Sequence, residues 1–83
     1  MTKEEILEGL RDMMVELFEF EREQIQLDAH VVKDLDLDSI DAIDMAVELQ
    51  EITGRKVEES ELRSIRTVSD IVDLVYRLLN EKS

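Results

Sequence analysis

The apolar residues Ile6, Leu7, Leu10, Met13, Met14 and Leu17 return every three or four positions, the spacing that lines one face of a helix. Thr2 and Glu5 stand ahead of them at the interval of a capping box, in which each side chain accepts the other residue's backbone N–H. The pattern predicts a first helix over about residues 3–17. A second helical rhythm, Ile43, Ala46, Val47, Leu49 and Ile52, follows Asp38-Ser39-Ile40-Asp41 and stops at Gly54, which predicts a helix over about residues 39–53. Val68, Ile71, Val72, Val75, Leu78 and Leu79 follow Thr67 and Asp70, again at capping spacing, and predict a last helix over about residues 68–80. A short helical turn is expected over Glu59–Arg63.

From Phe18 to Leu37 the apolar residues keep neither a 3.6-residue nor a sustained two-residue period. A long pinned loop is expected there, and loops of that length inside a compact domain are usually functional. There is no proline, and neither repeat nor low-complexity stretch marks a linker. The reading is one domain over residues 1–83, all-α, a bundle of three main helices and one short one with the long loop between helices one and two.

Charge narrows the partners. The 22 acidic and 10 basic residues leave a formal charge of -12, which repels phosphate backbones and anionic lipid heads. Nucleic acid and membrane surfaces are therefore set aside, and a basic protein surface is the natural complement. No apolar run approaches the roughly 20 residues that span a bilayer, and the amino terminus lacks the apolar stretch of a secretion signal, so a cytoplasmic protein is expected. A chain with no cysteine has no thiolate of its own, so any thiol chemistry must be imported. A core this small leaves little room for an enclosed substrate pocket, which favours a carrier or an adaptor over an enzyme.

The loop ends at Asp38-Ser39. Asp38, with Asp41 three residues on, is the better cap for helix two, which frees the Ser39 hydroxyl; a phosphodiester there would meet the positive end of the helix dipole and unpaired N–H groups. A hydrolytic role for Ser39 fails on its surroundings. The one histidine, His30, lies nine residues upstream as a surface or loop-anchoring residue, and Asp38 and Ile40 are not the glycines of a nucleophile elbow. Asp34, Asp36 and Asp38 match the first three ligand positions of a calcium loop, but Ser39 and Met45 occupy the places that need glycine and glutamate. Asp41, Asp44, Glu48 and Glu51 fall at intervals of three, four and three, one stripe with no lysine between them. Like charges so stacked weaken a helix, which points to a docking face. They also predict carboxyl groups that hold their protons more readily when folded, and hence a fold that firms on mild acidification.

The run Val32-Lys33-Asp34-Leu35-Asp36-Leu37-Asp38-Ser39-Ile40-Asp41, the acidic helix after it, the turn near Val57-Glu58-Glu59 and the Thr67-Val68-Ser69-Asp70-Ile71 start of the last helix together resemble an acyl carrier protein. The likeness covers nearly the whole chain, most specifically residues 29–52. It implies that Ser39, flanked by Asp38, bears a 4'-phosphopantetheine arm donated by coenzyme A through a phosphopantetheinyl transferase, and that the arm's thiol carries the acyl group. It also implies a non-catalytic monomer whose Asp41, Asp44, Glu48 and Glu51, with Ile40 and Met45, meet basic patches on that transferase and on acyl-processing enzymes of fatty-acid, polyketide or related pathways. No metal site is implied. Asp36 stands where the family often has glycine, and the proline that often follows the start of the third helix is absent. An aminoacyl or peptidyl carrier, or an acidic helical adaptor without a prosthetic group, are the alternatives.

Overall fold

The structure, a computed structural model, describes residues 2–80. Four helices carry the fold: α1 Lys3–Phe18, α2 Ser39–Thr53, α3 Glu59–Arg63 and α4 Val68–Asn80. The bounds agree with the sequence pattern to within one residue. Thr2 and Glu5 cap α1 reciprocally, with N–H to oxygen distances of 2.9 and 3.2 Å. Thr67 and Asp70 do the same for α4, where the Asp70 carboxylate also accepts the Arg66 N–H at 2.9 Å.

The most deeply seated helix is α4, which buries Val68, Ile71, Val72, Leu74, Val75 and Leu78 and packs on both α1 and α2. From α1 come Ile6, Leu10, Met13 and Met14. Leu49 of α2 is fully buried, and each such leucine contributes about 1.5–3 kcal/mol by leaving water.

The segment read from the sequence as one long loop is more ordered than its irregular apolar spacing implies. It holds a 3-10 turn, Arg22–Gln24, and a second turn over residues 31–35. Side chains pin the first turn to α1: Arg22 pairs with Glu8 and Asp12, and the Arg11 Nε donates to the Ile25 carbonyl at 2.8 Å. The backbone pins the rest to the start of α4, where the Leu27 and Ala29 carbonyls accept from Ser69 and Val68 and Val31 donates to Arg66 at 2.9 Å. Buried Ile25, Ala29, Val31, Leu35 and Leu37 seal it to the core. These anchors are long-range, so no local period records them.

Candidate functional site

Ser39 is the first residue of α2 and is exposed. Asp38 Oδ1 accepts the N–H groups of Ile40 and Asp41, both at 3.0 Å, and Asp41 Oδ2 accepts the Asp38 N–H at 3.2 Å. The cap is complete without the Ser39 hydroxyl, as the sequence spacing predicts. One detail differs from expectation. Two of the first-turn amides are already taken by Asp38, so a phosphate on Ser39 would draw on the helix dipole more than on those donors.

The backbone reaches Asp38 through a tightly closed turn. Asp36 lies in the left-handed region at φ 55°, and its N–H donates to the Val32 carbonyl at 3.0 Å while that of Leu37 donates to Val31 at 2.9 Å. The Asp36 bond is the left-handed closure of a helical turn, a C′ N–H returning four residues, that normally calls for glycine. Aspartate is among the few residues that tolerate the conformation, which explains how Asp36 stands in for it.

Beside Ser39 a half-open groove of about 910 Å³ runs between α2 and α3. Leu37, Met45, Ala46 and Val57 form its buried floor, and Ser39 and Asp38 stand at one end. Gln50 lies three turns further along α2, about 16 Å by helical rise, where its Oε1 accepts the Val57 N–H at 3.0 Å. No pattern of residues predicts this space, because it lies between helices rather than inside the core.

The outward side of α2 departs from the sequence reading at named positions. Asp44 and Glu51 are exposed and Asp41 and Glu48 are half-buried, so the acids do share a side. Met45, read as part of the partner face, is instead 3% exposed. It sits one helical turn before the fully buried Leu49, and that spacing carries both into the core. Ile43 and Val47, members of the helical rhythm alongside the buried Ala46 and Leu49, are 60% and 48% exposed and line up with Ile40 at 68%. Helix two has two apolar rows, and periodicity alone does not say which one faces inward. The intervals of three and four between Ile40, Ile43 and Val47, starting next to Ser39, were the available signal.

Among the described residues no group of three or more histidines or carboxylates is gathered to hold a metal ion, and no helix is long and apolar enough to cross a membrane. Asp34 and Asp38 spend their carboxylates on local backbone N–H groups.

Comparison with known proteins adds a family description, "Phosphopantetheine attachment site", that matches residues 8–75. The chain is 46% identical over 79 residues to acyl carrier protein 2 of Ralstonia nicotianae, covering 95% of this chain and 98% of that one. It is 32% identical over 82 residues to an acyl carrier protein of Coprothermobacter proteolyticus, covering 99% and 100%. A meromycolate extension acyl carrier protein of Mycobacterium leprae matches at 32% over 81 residues, 98% of this chain and 70% of that one. Among solved structures, an acyl carrier protein from Enterococcus faecalis superposes with a TM-score of 0.74 at 26% identity, covering 99% and 100%.

Proposed function

The chain belongs to the acyl carrier protein family, and on that premise we propose that Ser39 is the residue that bears its 4'-phosphopantetheine arm. The observation that carries this reading is the exposed Ser39 hydroxyl at the first position of α2, released from capping by Asp38 and Asp41 and opening onto an apolar groove. When attached, the arm supplies the thiol that a chain without cysteine lacks.

The residues present suit a carrier more than a catalyst. His30 Nδ1 is engaged in the loop rather than at Ser39, accepting the N–H groups of Val32 and Lys33, both at 3.1 Å. Asp38 fixes the start of the helix, and the dipole of α2 favours the phosphodiester's negative charge. The groove gives an acyl chain a place out of water, each methylene withdrawn contributing about 0.8 kcal/mol. Asp44, Glu48 and Glu51, with the exposed Ile40, Ile43 and Val47, offer an acidic and apolar face to basic surfaces on a phosphopantetheinyl transferase and on acyl-processing enzymes. Net charge of -12 opposes self-association, in keeping with a monomer that meets partners transiently in the cytoplasm.

Incubation with coenzyme A and a broad-specificity phosphopantetheinyl transferase is expected to add one arm, mapped to Ser39 by fragment mass spectrometry. Modification at Ser60, Ser64 or Ser69, or none with several transferases, overturns the assignment.

A further inference from the structure

The segment between His30 and Leu37 is one helical turn capped at both ends, and we infer that His30 is a positioning residue for Ser39, its imidazole holding the turn from which α2 is launched. The inference rests on the reading of Ser39 as the attachment residue.

His30 does the work of a helix N-cap. Its Nδ1 accepts the N–H groups of Val32 and Lys33, each at 3.1 Å, the second and third amides of the turn. Its own N–H donates to Asp34 Oδ2 at 2.7 Å, and its carbonyl accepts from Asp34 at 2.9 Å and Leu35 at 3.1 Å. This is a reciprocal cap, one residue wider than a capping box because the returning carboxylate is Asp34 four residues on, with histidine where serine, threonine, aspartate or asparagine is usual. The far end is closed by Asp36, as described above, and only Leu37 separates Asp36 from the Asp38 cap of α2. Two capped ends therefore meet across a single residue.

The turn is fixed behind as well. Val31 donates to the Arg66 carbonyl, and His30 forms an antiparallel bridge with Thr67 at the start of α4. Val31, Leu35 and Leu37 are buried, so the inner side of the turn is locked into the core. The outer side is not. Val32 is 56% exposed and forms part of the groove wall that includes Ser39, and Lys33 is exposed too. The imidazole is what holds these two outer amides. Its loss would fray the turn locally while the core stayed packed, and the Ser39 hydroxyl would be presented in the productive geometry for a smaller fraction of the time.

A neutral imidazole that accepts at Nδ1 carries its proton on Nε2. That tautomer is a signature a merely space-filling ring would not show.

The test compares wild type, His30→Ala and His30→Asn in the full chain, with circular dichroism confirming each fold. Asparagine keeps a capping acceptor; alanine does not. Removing a cap of ordinary strength shifts a local equilibrium about fivefold. The His30→Ala rate with a phosphopantetheinyl transferase is therefore expected to fall about threefold to tenfold. The fall should lie in kcat, because the outward side of α2 that meets the enzyme is untouched. Hydrogen exchange at the Val32 and Lys33 amides should quicken by a similar factor, and His30→Asn should restore both rate and protection to within about twofold of wild type. The 15N spectrum of the neutral imidazole in wild type should show Nε2–H. An unchanged rate in His30→Ala, equally slow alanine and asparagine variants, or an Nδ1–H tautomer would overturn the inference. The arm is mapped in the same samples: an arm on another serine defeats the Ser39 assignment, whereas an unchanged rate with the arm on Ser39 defeats the role of His30 alone.

Discussion

Asp38 and Asp41 cap the start of α2 for each other, the Asp38 carboxylate taking the Asp41 N–H at 3.0 Å and the Asp41 carboxylate returning to the Asp38 N–H at 3.2 Å. Ser39 sits between them and contributes nothing to the exchange. A serine at a helix start is ordinarily a cap; here two acids have displaced it from that duty, and its hydroxyl is left for chemistry.

Attachment and stability should therefore separate. Ser39→Ala is expected to abolish arm addition while changing unfolding free energy by no more than about 0.5 kcal/mol. Asp38→Ala removes an acceptor of two N–H groups and should cost about 1 kcal/mol, or a Tm lower by roughly 4–8 °C. Thermal melts and intact mass of both variants check this; a Ser39→Ala loss as large as that of Asp38→Ala would show that the hydroxyl does cap the helix.

Among the described residues two hold left-handed backbone without being glycine, and they should respond unequally to glycine. Glu19 ends α1 at φ 59°, its N–H donating to Val15, in a last turn that contains Glu16 and no basic residue. It bears both the steric cost of that conformation and an unfavourable charge at the negative end of the helix dipole. Glu19→Gly is expected to stabilise by about 1 kcal/mol. Asp36, at φ 55°, belongs to a residue type that tolerates the region, so Asp36→Gly should gain less than half as much. Denaturant unfolding of the two variants reads the order directly, and a larger gain at Asp36 would contradict it.

The contrast between these residues shows what the sequence could and could not disclose. Helices α1 and α4 were legible because one apolar row and one capping box agreed at each. The Asp38 cap beside Ser39 was legible because Asp38 and Asp41 signal it across three residues. The turn at His30 was not, since a histidine cap and an Asp36 closure both use residues that stand outside the usual vocabulary of such positions. Nor was the fate of α2's two apolar rows: Met45 turns in and Ile43 turns out because of where α4 packs on α2, and that is information of tertiary contact, not of period.

Acid should loosen the start of α4. The backbone N–H groups of Arg66 and then Thr67 hold the Asp70 carboxyl below the ordinary aspartate range. A group whose folded-state value is depressed contributes stability that is present above its unfolded value, near 3.9, and lost as pH falls through the folded one. Glu5 at the cap of α1, held down by the Thr2 N–H, acts in the same direction. Stability is therefore expected to fall below about pH 4. Asp70→Asn should flatten that part of the pH profile while lowering stability at neutral pH. Urea unfolding between pH 3 and 7 decides the matter, and an Asp70→Asn profile parallel to wild type would remove Asp70 from the account.

The outward side of α2 presents both exposed acids and exposed apolar side chains, whose proposed parts in docking salt can tell apart. Asp44 and Glu51 are exposed and have no part in the cap, whereas Asp41 is bound to the Asp38 N–H, so charge reversal is cleanest at Asp44 and Glu51. Surface charges of this kind act mainly on association, over a screening length of about 10 Å at 0.1 M salt. The double variant Asp44→Lys with Glu51→Lys should lower transferase kcat/KM by about tenfold at low salt, chiefly through association, and the deficit should shrink as salt rises. Ile43 is 60% exposed and apolar, and burial against a partner owes little to ionic strength. Ile43→Ala should therefore lower kcat/KM by a factor that stays nearly constant from low to high salt. Transferase kinetics of wild type and both variants across a salt series, with circular dichroism confirming each fold, separate the contributions. If the charge-reversed protein matches wild type at every salt concentration, the acids are a solvated surface and only the apolar row docks; if Ile43→Ala also matches, the partner meets another side of the bundle.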